Sequence, residues 1–259
     1  MAEYQFCKIE HDGKLLIVTI NRPDVMNALH PPANAELAKV FDDFAADPGL
    51  WVAIVTGAGD KAFSAGNDLK YQASGGKMSV PKSGFGGVTS RYDLNKPLIA
   101  AVNGVAMGGG FEVALACDLI IASDNAVFAL PEPRVGLAAL AGGLHRLPRC
   151  IPLKQAMGMI LTGRRVPAAE GKSLGFVNEV VPQKDLMAAA KKWAGLILEC
   201  SPMSIRASKE AVYQGFDQPT LADAYSTVYA SVQALYDSED RVEGPKAFAE
   251  KRPPQWKGR

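Results

Sequence analysis

Three short, unbroken apolar runs set the tightest limit on what this chain can fold into. Trp51-Val-Ala-Ile-Val-Thr56, Leu98-Ile-Ala-Ala-Val102 and Leu119-Ile-Ile-Ala122 read as buried strands, the first ending at Gly57. Helical patterns separate them. Leu37, Val40, Phe41 and Phe44 recur on one face between Pro32 and Pro48, and Gly109 to Ala116 reads as a short helix. Strands that alternate with helices imply an α/β fold with largely parallel pairing. Ahead of them, Tyr4–Glu10 and Leu15–Ile20 flank Asp12-Gly13, the turn of an antiparallel hairpin. Beyond Pro152 the patterns are helical at Pro152–Leu161, Pro167–Leu174, Lys184–Glu199, Pro202–Gln214 and Pro219–Tyr236, with only Val177–Val181 strand-like. Tyr71–Thr89, rich in glycine and serine, reads as a mobile surface loop beside a strand end.

Composition then removes whole classes of function. The 259 residues carry 28 Lys+Arg against 27 Asp+Glu, a formal net charge of +1, so no global field recruits nucleic acid or an anionic membrane surface. The most apolar stretch, Leu98–Leu130, is interrupted by Asn103, glycines, Glu112, Asp118 and Asp124 and never offers the ~20 apolar residues of a membrane span. Met1–Lys14 holds charges where a secretory leader needs an apolar run. Cys7, Cys117, Cys150 and Cys200 lie far apart, which disfavours a zinc site or a disulfide framework and points to reduced thiols in a cytoplasmic protein. His11, His30 and His145 lack metal-like or triad-like spacing, and Ser64 is no candidate nucleophile. No metal is expected.

The chemistry concentrates in three segments. Glu112 lies in Gly108-Gly-Gly-Phe-Glu-Val-Ala-Leu-Ala116, among apolar residues and glycines. It is either an exposed glutamate on the first helical turn, favoured by the helix dipole, or a carboxylate buried for a task. The glycines ahead of it leave backbone N–H groups open to an anion. Glu132 stands between Pro131 and Pro133, and is either a solvated loop residue paired with Arg134 or a rigidly held acid. Two glutamates near a backbone anion hole could handle two protons of one reaction. The third segment, Lys61-Ala-Phe-Ser-Ala-Gly-Asn-Asp-Leu-Lys70, offers a close backbone approach at Gly66, an N–H at Asn67 and a cation at Lys70.

Together these residues carry a family resemblance. Phe63–Lys70, Lys96-Pro-Leu-Ile-Ala-Ala-Val-Asn-Gly104, Gly108-Gly-Gly-Phe-Glu112, Cys117-Asp118 and Phe128-Ala-Leu-Pro-Glu132 resemble, in order and spacing, the signatures of the enoyl-CoA hydratase/isomerase (crotonase) superfamily. The likeness runs from Asn21-Arg-Pro and Asn27-Ala-Leu29 to Ala247-Phe-Ala-Glu-Lys-Arg252. It implies an α/β spiral of ββα units over residues 1–195 and a helical trimerisation segment over 196–259, assembled as a homotrimer or homohexamer. It also implies an acyl-CoA thioester substrate, with coenzyme A part of that substrate and no further cofactor.

By residue-for-residue match, the amides of Asn67 and Gly109 would hold the thioester oxygen. Glu112 would deprotonate water at C3 and Glu132 would protonate C2. Val25, Met26, Ala65, Asp68 and Lys70 would line the CoA, with Lys70 near its phosphates, and Phe248 and Lys251 would complete the site, as from a neighbouring subunit. Both glutamate positions are filled, which favours water addition or removal over isomerisation. Leu140 stands where hydratases of the mitochondrial type carry glycine, an added side chain toward the acyl pocket. Leu161-Thr-Gly-Arg-Arg165, Ser238-Glu-Asp240, Glu243-Gly-Pro245 and Trp256-Lys-Gly-Arg259 also resemble carnitinyl-CoA dehydratases, so a dehydratase for a polar acyl group is the alternative. A remoter one is a short-chain dehydrogenase, suggested by Thr56-Gly-Ala-Gly59 and Tyr92-x-x-x-Lys96. It lacks the third glycine and has Pro97 where a helix would present that pair.

Overall fold

The computed structural model describes residues 4–259. The leader-free reading of Met1–Lys14 therefore falls in part on Met1–Glu3, outside the described residues. The chain opens with the hairpin β1 (Cys7–Asp12) and β2 (Leu15–Ile20), then α1 (Pro31–Ala46). Three turns of a spiral follow. The first is β3 (Val52–Gly57), β4 (Ala62–Ser64) and α2 (Leu69–Ala73). The second is β5 (Leu98–Val102), β6 (Val105–Met107) and α3 (Gly109–Ala116). The third is β7 (Leu119–Ser123), β8 (Val127–Ala129) and a 3-10 turn at Glu132–Val135. Next come α4 (Gly143–Cys150), α5 (Leu153–Thr162), β9 (Val166–Pro167), α6 (Ala168–Leu174), β10 (Glu179–Val181) and α7 (Leu186–Leu198). The chain closes with α8 (Pro202–Gly215), α9 (Leu221–Ser226), α10 (Ala230–Tyr236) and α11 (Glu239–Ala249).

Each spiral turn gives one strand to each of two sheets. The larger runs β1-β2-β3-β5-β7-β10, parallel except for the opening hairpin, and the smaller runs β4-β6-β8-β9. The uninterrupted apolar runs now have their reason, because the large sheet is covered on both faces. Leu16, Val18, Val55, Ala100 and Ile120 face a core shared with α1, α3 and the small sheet. Ile17, Val52, Ile54, Ile99 and Ile121 face Leu186, Ala190 and Ala194 of α7. No helix among the described residues is long and apolar enough to cross a membrane, and no cluster there could hold a metal ion.

Several local readings are corrected. The pattern Pro219–Tyr236 is two helices, broken where Thr227 and Tyr229 take extended backbone. Helices α4 and α11 contain Pro148 and Pro245, which hid them. The Tyr71–Thr89 loop is no surface loop at its end: Phe85, Gly86, Gly87, Val88 and Thr89 are buried.

Candidate active site

Helix α3 carries Glu112 into the interior because every residue from Gly109 to Leu115 is buried, leaving the carboxylate no solvated face. Glu112 is 3% exposed, which excludes the exposed first-turn reading. Its Oε1 accepts a hydrogen bond of 2.9 Å from Gly143 N, the first residue of α4. Burial drives its pKa up to about 7, and the neighbouring Glu132 adds to this, while the N–H groups of Gly143 and Ala141 and the charge of Arg146 act the other way.

Glu132 reaches the same place from the third spiral turn. Pro131 starts the 3-10 turn that Glu132 heads, and a Cβ on Gly108 would fall 2.8 Å from Glu132 Oε1. The second acid thus lies against the residue that precedes α3. Arg134 does not pair with it; its Nε donates to Thr162 O at 2.9 Å. Glu132 Oε2 is buried without a hydrogen-bond partner, and burial holds this carboxyl above the usual range. A buried carboxyl oxygen with no partner costs stability, so its retention points to a task.

Near the start of α3 lies a pair of backbone donors. Gly66 has φ +84°, open to glycine at little cost, and a Cβ there would fall 2.5 Å from Met107 O and 2.8 Å from Gly109 N. The first spiral turn therefore meets the start of α3 backbone to backbone. Asn67 follows Gly66 directly, and among the described residues neither Asn67 N–H nor Gly109 N–H donates a hydrogen bond. Two open donors on adjoining elements suit an oxygen that gains negative charge. Phe85 closes one side, its ring 2.5 Å from where a Cβ of Gly109 would sit.

The segment holding Val25 and Met26 is zipped to this loop: Ala65 N donates to Met26 O at 2.9 Å and Leu29 N to Gly66 O at 2.8 Å. Met26 and Ala65 are therefore neighbours. Asp68 has a buried carboxylate, ion-paired with Arg22 Nη1 at 2.9 Å and capping α2 through Tyr71 N at 3.1 Å. It shapes the loop and has little left to offer a ligand. Lys70 is exposed on α2. Leu140 is 79% exposed, while its neighbour Ala139 takes the buried position. Phe248 and Lys251 are exposed at the end of α11 and hydrogen-bond to none of these residues. The dehydrogenase pair comes apart: Tyr92 is exposed, whereas Lys96 is buried with Nζ on the carbonyls of Phe44 and Asp47. Ser64 Oγ donates to Asn27 O, a structural bond. Sequence reasoning missed Phe85, Gly143 and Arg146. A phenylalanine set singly among glycines was the one available sign of the first.

Comparison with known proteins gives the family. The sequence model of the enoyl-CoA hydratase/isomerase family matches residues 10–259, so the chain belongs to that family. It is an enzyme of the hydro-lyase class with the crotonase fold. Among its relatives, carnitinyl-CoA dehydratase of Escherichia coli K12 is 44% identical over 257 residues, covering 97% of this chain and 98% of that protein. Among solved structures, an enoyl-CoA hydratase from Mycobacterium marinum superposes with a TM-score of 0.92 at 39% identity, over 98% of this chain and 99% of the other. A carnitinyl-CoA hydratase from Mycobacterium avium gives 0.79 at 39%, over 99% and 100%.

Proposed function

We propose that the chain adds water reversibly across the C2=C3 bond of a 2-enoyl-CoA thioester, with Glu112 as base and Glu132 as acid. The observation that carries this is that Glu132 lies against Gly108, next to the open Gly109 N–H, and interacts with buried Glu112 on the helix that Gly109 begins, both carboxyl groups being raised by burial. Water oxygen bonds to C3 as Glu112 takes its proton, and the π electrons move onto the thioester oxygen held by Asn67 N–H and Gly109 N–H. Glu132 then donates a proton to C2, restoring the carbonyl. A carboxyl at about 7 is substantially ionised at neutral pH, as a base must be, and burial raises Glu132 as well. Val25, Met26, Ala65 and Lys70 line the CoA, which belongs to the substrate, and no separate cofactor takes part. Residues 196–259 form the oligomerisation segment of a homotrimer or homohexamer, in which Lys251 of a neighbouring copy completes the site. Four free thiols and balanced charge support a cytoplasmic setting.

The identity of 44% along 257 residues favours a second reading, hydration or dehydration of a carnitinyl-type thioester by the same residues. One assay separates them: loss of conjugated thioester absorbance with crotonyl-CoA and with crotonobetainyl-CoA. Turnover of the first establishes a general hydratase, and activity confined to the second assigns the polar acyl group. Inactivity with both ends both readings.

A further inference from the structure

Arg146 sits on α4, three residues beyond the Gly143 that holds Glu112. Its guanidinium folds back over Gly142, where Nη1 occupies the space a Cβ would need. From there Nη2 donates to Thr89 O at 2.9 Å, across 57 residues of sequence. Thr89 closes the segment that seats Phe85: Thr89 N donates to Phe85 O at 3.3 Å, and Thr89 Oγ1 would lie 2.5 Å from a Cβ on Gly84. The far side of the segment is anchored on α1, where Asn34 Oδ1 accepts from Gly86 N at 2.7 Å. Among the described residues, Arg146 makes the only hydrogen bond between α4 and this segment.

We propose that Arg146 is a positioning residue: it ties the helical turn that orients Glu112 to the segment that seats Phe85 on Gly109, so that the base and the oxyanion donor keep one fixed spacing. A fork-shaped guanidinium suits this better than an ammonium, because it can lie flat over Gly142 and still reach a carbonyl. Its charge also favours ionised Glu112. Glu132 acts on that carboxylate in the opposite sense. Strands β4 and β6 and the Phe85 segment bring no titratable group to α3, and His145 on α4 is exposed.

The inference rests on Glu112 as the base, and its test uses Arg146→Met, Arg146→Lys and Phe85→Leu in the full chain. With the thioester that the unmodified enzyme turns over, Arg146→Met should lower kcat about 10²-fold with KM changed little, the scale of a small misplacement remote from the chemistry. The low-pH limb of kcat should move to higher pH. Arg146→Lys should return that limb while recovering only part of kcat. In the double variant with Phe85→Leu, the losses should fall short of the product of the single losses, as coupled residues do. Wild-type kcat in Arg146→Met, or losses that multiply independently, would overturn the tie. An infrared pH titration of the Glu112 carboxyl, identified by its absence in Glu112→Gln, gives a reading without turnover. A higher midpoint in Arg146→Met supports the placement and an unchanged one refutes it. An inactive unmodified enzyme would count against the hydratase reading alone.

Discussion

Two regions of this molecule bury carboxylates to nearly the same depth and treat them in opposite ways. Asp240, at the start of α11, is 2% exposed and accepts hydrogen bonds from Ser201 Oγ at 2.8 Å, Lys257 N at 2.7 Å and Gly258 N at 3.2 Å. It latches the C-terminal tail, where Trp256 Nε1 also donates to Glu199 O. Glu112 is 3% exposed, with Gly143 N donating at 2.9 Å and the Ala141 N–H also favouring its charge, and Glu132 keeps a buried oxygen with no partner. Burial alone therefore does not mark a functional acid. What separates the regions is satisfaction: the latch has donors for its carboxylate, and Glu132 Oε2 has none.

The largest expected effect would break this contrast if it failed. Glu112→Gln and Glu132→Gln should each lower turnover of a 2-enoyl-CoA by about 10² to 10⁴, the worth of one general acid or base, while the thioester still binds. Unchanged kcat in either variant would remove that residue from the mechanism.

Next in size, Asp240→Ala should lower folding stability by about 2–4 kcal/mol, because Ser201 and two backbone N–H groups lose their acceptor in a buried place. Activity per folded molecule should persist. Urea unfolding monitored by tryptophan fluorescence measures the first, and an active-site titration the second. A full loss of activity in the folded variant would mean that latch and site are one unit.

The pH dependence sharpens the comparison. Burial raises Glu112 from 4.5 to about 7, so its neutral form stabilises the fold below pH ~4.5 and that contribution is lost as pH rises through 7. Glu112→Gln should then be more stable than the parent at pH 8, by about 1–3 kcal/mol, and the difference should vanish near pH 4. Equal unfolding midpoints at pH 8 would show that Glu112 is solvated or paired in solution.

The smallest effect tests burial alone. Cys150 and Cys200 are exposed, whereas Cys7 and Cys117 are buried with thiols pushed up to about 12. Two thiols should react promptly with a disulfide reagent in the native protein and the others only on unfolding. A different count would redraw the core around β1 and α3.

How much of this was readable beforehand follows from length and period. The strands from Val52, Leu98 and Leu119 and helices α1 and α3 were legible because each holds one apolar pattern for four or more residues. The strands of the small sheet were not. β4, β6 and β8 span three residues each, too few for a period, and gain their pairing only from neighbours on other spiral turns. Gly84–Thr89 was misread for a related reason: glycine runs suggest freedom in isolation, but here Gly86 and Gly87 are pressed against Val113 and Ala38.

The sequence by itself determined the family and the order of the parallel strands' segments, since these reside in local pattern and motif spacing. Only the tertiary structure decided that Glu112 is buried, that Glu132 ignores Arg134, that Asp68 is engaged by Arg22, and that Arg146 spans from α4 to Thr89. Those facts depend on distances between segments tens of residues apart, and a charge or a hydrogen bond has no sequence period to betray its partner.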